Sequence, residues 1–237
     1  MALETIQSGL YLTSVFVAFL TAVIGIIALN VLFRNKLKEL FTDHNFFIFF
    51  FMIFGYLLSA LGELLWFLIF AVFGDVAPAG MQDVYSVAAS LCILLSFVLL
   101  TVTMFKTYGE SRKILPLLVA GAVLIGGVIL YNSAQGVFQE AKTGGHLFLA
   151  FFYPVTTSLI VTFSAPILFF WRKMAVFGSC LLLLFIANVT FLFADVFYIY
   201  TTVHSTGMTD ILTSLFYILA YGLSSLAFIA LLLKAQR

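Results

Sequence analysis

Residues 45–73 read NFFIFFFMIFGYLLSALGELLWFLIFAVF, and Glu63 is the one charged residue among them. At 1.5 Å of rise per residue, about 20 apolar residues cross a hydrocarbon layer of ~30 Å. The run is apolar on all faces, with none of the alternation that a membrane strand needs. In lipid a spanning segment must satisfy its own backbone, so the run reads as a transmembrane helix. Six further stretches of the same kind occupy 10–33, 83–105, 114–134, 147–170, 175–200 and 209–233. The expected fold is all-α: an integral membrane bundle of seven helices in one domain, residues 1–237.

Composition agrees. Of 237 residues, 64% are hydrophobic and 9% charged, against about 25% charged in soluble domains. The surface of a chain this size cannot be that apolar in water, so lipid is its first partner. A net charge of +1 gives no clustered basic surface for nucleic acid. The first 30 residues hold no Lys or Arg. No cleavable signal peptide, with its basic leading segment, is therefore expected. Cys92 and Cys180 fall near opposite ends of the membrane, too far apart for a disulfide.

Basic residues set the orientation. Arg34, Lys36, Lys38, Lys106, Arg112, Lys113, Arg172, Lys173, Lys234 and Arg237 fall on one side, and Lys142 on the other. The basic side is cytoplasmic, which puts the N-terminus outside and the C-terminus inside, in the cell membrane. Glu4, Asp75, Asp83, Glu140 and Asp210 give the external side an acidic character. Span five holds Pro154 and Pro166 with Thr156, Thr157, Ser158, Thr162 and Ser164 between them. Proline removes a helical hydrogen bond, so a kink is expected there, with hydroxyls satisfying the freed carbonyls.

Spans two and three resemble spans six and seven, a weak parallel repeat with span four or five left over. Gly62-Glu63-Leu64-Leu65-Trp66 parallels Ala194-Asp195-Val196-Phe197-Tyr198, and Gly80-Met81-Gln82-Asp83 parallels Gly207-Met208-Thr209-Asp210. Residues three, four and seven apart share a helix face. Tyr56, Ser59, Glu63 and Trp66 form one stripe, and Asn188, Asp195 and Tyr198 the matching one. Asp83, Ser86 and Ser90 line span three, and Asp210, Thr213, Ser214, Tyr217 and Tyr221 line span seven.

The two acids within spans are the candidates for function. A carboxylate at the helix centre costs roughly 2.5–3.5 kcal/mol on insertion scales, so such residues face the bundle interior and mark a ligand site or pathway. Glu63 lies ~15 Å and Asp195 ~8 Å below the external end. No basic residue shares a span with either. Glu63 is then expected to be neutral or bonded to hydroxyls such as Ser59 and Tyr56. The expected ligand or pathway residues are Glu63, Trp66, Tyr56, Ser59, Asp195, Tyr198 and Asn188, facing a shared pocket that opens outward. Asp83 and Asp210 sit at its external mouth, where helix capping is an equal explanation.

Enzyme signals are absent. His44, His146 and His204 lie at span ends or in a loop, in no zinc-binding pattern and with no mid-span pair for haem. There is no nucleophile motif, no phosphate loop, and no lysine in span seven before Lys234. No catalytic residue, metal or cofactor is expected.

Glu63-x-x-Trp66, Pro78, Gly80-x-x-Asp83 with Tyr85, Ala194-Asp195-x-x-Tyr198 and Gly207-x-x-Asp210 carry a resemblance. Across spans two to seven the chain resembles the N-terminal multi-span sensor regions of prokaryotic histidine kinases and diguanylate cyclases. Those proteins continue into a cytoplasmic output domain, whereas this sequence ends four residues after its last span. The resemblance implies a sensor or scaffold module acting through a separate protein partner, at the cytoplasmic loops or on a helix face. An accessory subunit of an electron-transfer or energy-converting complex and a small transporter stand as alternatives.

Overall fold

A computed structural model describes residues 2–34, 44–73, 80–108, 114–135, 144–174, 177–203 and 207–235. Seven helices are long and apolar enough to cross a membrane. They are α1 (Ala2–Phe33), α2 (His44–Phe73), α3 (Met81–Tyr108), α4 (Ile114–Ala134), α5 (Gly144–Ser164), α6 (Gly178–Val203) and α7 (Gly207–Ala235). The chain is an all-α, multi-pass membrane protein. Loops 35–43, 74–79, 109–113, 136–143, 175–176 and 204–206 lie outside the described residues, and most of the expected loop charges with them.

The described Lys and Arg residues, Arg34, Lys106, Arg172, Lys173 and Lys234, all lie at one end of the bundle. The Tyr108 hydroxyl donates to the Lys173 carbonyl at 3.3 Å, and Lys234 donates to Ser179, so the ends of α3, α5 and α7 share this basic end.

Helix order follows from which helices touch. α1 packs on α2 and α7, α2 on α3, α3 on α5, α5 on α6, and α6 on α7. These six close a ring. α4 stands outside it, seated on α5 and touching α6 only lightly. Span four is therefore the leftover element of the repeat.

The two halves of the ring differ in depth. Toward the basic end the core is dry and tightly filled, with Ile48, Met52, Phe97, Met104, Leu181 and Leu231 all under 2% exposed. Phe170 and Phe228 are likewise fully buried. In the far half the inward faces carry hydroxyls and carboxylates.

Span five breaks at one proline only. Pro154 sits inside α5, which runs on to Ser164, while at Ala165-Pro166 the α-helix stops. A single turn, Ile167–Phe170, and a 3₁₀ turn, Trp171–Lys173, complete the span. The expected re-satisfaction comes from other helices. A proline at 154 deprives the Ala150 carbonyl of its helical donor. Asn132 of α4 donates its side-chain amide to that carbonyl at 3.2 Å. Thr101 of α3 donates to the Phe163 carbonyl just before the break at Pro166. On α4 a Cβ at Gly121 would collide with Thr162, so α4 is held on α5 by a close approach and by a proline-freed carbonyl.

Candidate functional site

Glu63 lies ten residues before the end of α2 and Asp195 eight before the end of α6, hence roughly 15 and 12 Å deep. Asp195 sits deeper than the span boundary in the sequence implied, because α6 extends to Val203. Both acids face the ring interior, as the cost of a lipid-facing carboxylate requires.

Asp195 is 6% exposed. Thr157 of α5 donates to one carboxylate oxygen at 2.5 Å, and Tyr217 of α7 donates to the other at 2.6 Å. Glu63 is partly buried. Ser14 of α1 donates to one of its oxygens at 3.1 Å, and Tyr221 of α7 to the other at 3.2 Å. Each acid thus takes one hydroxyl from a neighbouring helix and one tyrosine from α7. Tyr217 and Tyr221 are four residues apart, on one face of that helix. α7 is therefore the element that joins the two candidate stripes.

The remaining sequence candidates divide. Ser59 hydrogen-bonds Tyr221 and so belongs to the Glu63 cluster. Tyr56 does not serve Glu63; its hydroxyl shares a 2.8 Å bond with Ser224, deeper in the bundle. Two turns below Glu63, at Tyr56, the stripe of α2 meets α7 one turn deeper, at Ser224. Trp66 packs against Tyr11 of α1, ring centroids 6.3 Å apart. Tyr198 lies within electrostatic reach of Asp83, Tyr11 and Asp195. Asn188 is 2% exposed and its amide nitrogen has no partner.

Asp83 does cap its helix: one oxygen accepts the Gly80 backbone N–H at 3.0 Å. Its other oxygen accepts the Tyr153 hydroxyl at 3.4 Å. Asp210 occupies the first turn of α7 and interacts electrostatically with Tyr11.

Sequence reasoning did not single out Ser14, Tyr11, Tyr153 or Asn132. A serine or tyrosine in an apolar span carries no signature until the helices are placed. Asn132 had a legible signal, since a lone asparagine near the end of a span is costly to bury without a partner. Between the acids, the hydroxyls of Tyr217 and Tyr221 occupy one oxygen of each carboxylate. An open cavity of about 280 Å³ lies between α4 and α6, lined by Val123, Leu124, Gly127, Val128, Tyr131 and Val196.

Among the described residues no group of three His, Cys, Asp or Glu could hold a metal ion. Cys92 and Cys180 are free thiols. Comparisons with family models, with curated proteins and with solved structures found no match.

Proposed function

We propose that this chain is a multi-pass membrane sensor or scaffold module that takes a signal from the far side and passes it to another protein at the basic end. The observation that carries this reading is the convergence of both intramembrane carboxylates on Tyr217 and Tyr221 of α7. A polar molecule or an ion reaching Glu63 competes with the Tyr221 hydroxyl, and α7 responds as a rod. Its other end carries Lys234, bonded to Ser179 at the basic end. The tightly packed apolar cluster toward that end favours relay through a helix over passage through the bundle. By the distribution of basic residues that end is cytoplasmic. The resemblance to kinase and cyclase sensor regions points to the same role.

A photo-crosslinker at position 234, in the full chain in its own membrane, tests the reading. A specific partner is expected, with its yield changed by about fivefold or more in the Tyr217→Phe/Tyr221→Phe variant. A yield unmoved by the variant would overturn the reading. Purified chain that drives proton or cation flux in liposomes would replace it with the small transporter, which the parallel repeat favours.

A further inference from the structure

The repeat is larger than the sequence shows. Exchanging α1 with α5, α2 with α6 and α3 with α7 leaves the order of the helix ring unchanged. Polar partners exchange with the helices. Ser14–Glu63 (α1 to α2) maps onto Thr157–Asp195 (α5 to α6). Asp83 bonded to Tyr153 (α3 to α5) maps onto Asp210 within electrostatic reach of Tyr11 (α7 to α1). Burial exchanges too. Gly55 and Gly62, both buried, stand where α6 has the fully buried Ala187 and Ala194, and Met104 stands where α7 has Leu231.

We infer that the molecule is two three-helix units, α1–α3 and α5–α7, related by an approximate two-fold axis along the bundle, and that the Glu63–Tyr221 bond is a releasable latch across one of the two seams between them. α4 travels with the second unit. The inference holds for a sensor and for a transporter alike.

The bonds of the seam between α1–α2 and α7 differ by depth. Thr21 shares a 2.7 Å bond with Ser225 and donates to the Tyr221 carbonyl at 3.0 Å. Tyr56 bonds Ser224, and its ring stands edge-on to Phe228, 5.7 Å between centroids. These contacts are buried and join the dry core, so they form a pivot. Glu63–Tyr221 sits about one helical turn, ~6 Å, further toward the far end. It is longer, at 3.2 Å, and Glu63 is only partly buried as a residue. Asp195 is bonded wholly within its own unit, to α5 and α7. Breaking the latch loosens the far end of this seam, while the pivot, both units and the Asp83–Tyr153 bond across the other seam stay intact.

Spin labels test this in the full chain, with Cys92 and Cys180 replaced. Met81 and Met208, equivalent positions at the far ends of α3 and α7, are 65% and 77% exposed and report the distance between units. Phe148 and Met208, at the far ends of α5 and α7, report a distance within one unit. Tyr221→Phe is expected to lengthen or broaden the first distance by more than about 2 Å, the scale of interface helix shifts, and to leave the second unchanged. Glu63→Leu with Ser59→Ala removes both α2 bonds to the Tyr221 hydroxyl from the other side and must act alike, which covers a failure of the tyrosine variant to fold. An unchanged inter-unit distance, or equal changes in both distances, would overturn the latch.

Discussion

Glu63 and Asp195 occupy equivalent places in the two units, yet they are held differently. Asp195 is buried, with both oxygens bonded at 2.5 and 2.6 Å inside its own unit. Glu63 is partly exposed, bonded at 3.1 and 3.2 Å, and one of its two partners belongs to the other unit. A duplicated carboxylate can thus take two roles: one fixes a unit internally, and the other spans a joint that can open. The difference lies in which tyrosine of α7 each acid reaches, Tyr217 within the unit or Tyr221 across the seam.

Removing each acid should break this comparison most strongly. Asp195→Ala strands two buried hydroxyls and is expected to cost on the order of 2–3 kcal/mol of stability, measured by unfolding in mixed micelles. Glu63→Ala, with longer bonds, should cost about 1 kcal/mol. Equal losses would mean that the two acids are equivalent and that the joint is as rigid as the unit.

The units also differ in how closely their paired helices approach. A Cβ at Gly55 would lie 2.5 Å from Ile93 Cγ1 and 3.0 Å from the Ala89 carbonyl oxygen, whereas the equivalent position in α6 is Ala187. Gly55→Ala should therefore cost about 1–2 kcal/mol through overpacking, despite the better helix propensity of alanine. A neutral or stabilising outcome in the same unfolding measurement would show that α2 and α3 can part without loss.

Much of the architecture was legible in the sequence. Seven apolar runs gave seven helices, because in lipid a span has no alternative to satisfying its own backbone. The two acids faced inward for the same reason that made them candidates. The partners of those acids were less legible. Tyr217 and Tyr221 lay on a recognised stripe, but nothing in the sequence assigned one to each acid. Spans one and five share only two polar positions, Ser14 with Thr157 and Tyr11 with Tyr153, so their membership in the repeat emerged only from the packing. Helical spacing groups Tyr56 with Glu63, but two turns deeper its hydroxyl meets Ser224 instead.

Only the second unit carries an extra helix, and its attachment gives a smaller test. Asn132 bonds the carbonyl that Pro154 leaves free. Asn132→Ala alone should cost about 0.6 kcal/mol. In a Pro154→Ala background the Ala150 carbonyl regains a helical donor, and the cost should fall toward zero. A double-mutant cycle reads the coupling; identical costs in both backgrounds would show that α4 is held by other contacts.

The central claim is that the polar cluster around Glu63 communicates with the far side and is sealed from the basic end. Ser59→Cys, with Cys92 and Cys180 replaced, places a thiol in that cluster beside Tyr221. A membrane-impermeant thiol reagent applied to sealed vesicles from each side gives the most direct reading. Modification from the far side alone is the predicted result, and modification from the basic end, or from neither side, would contradict it.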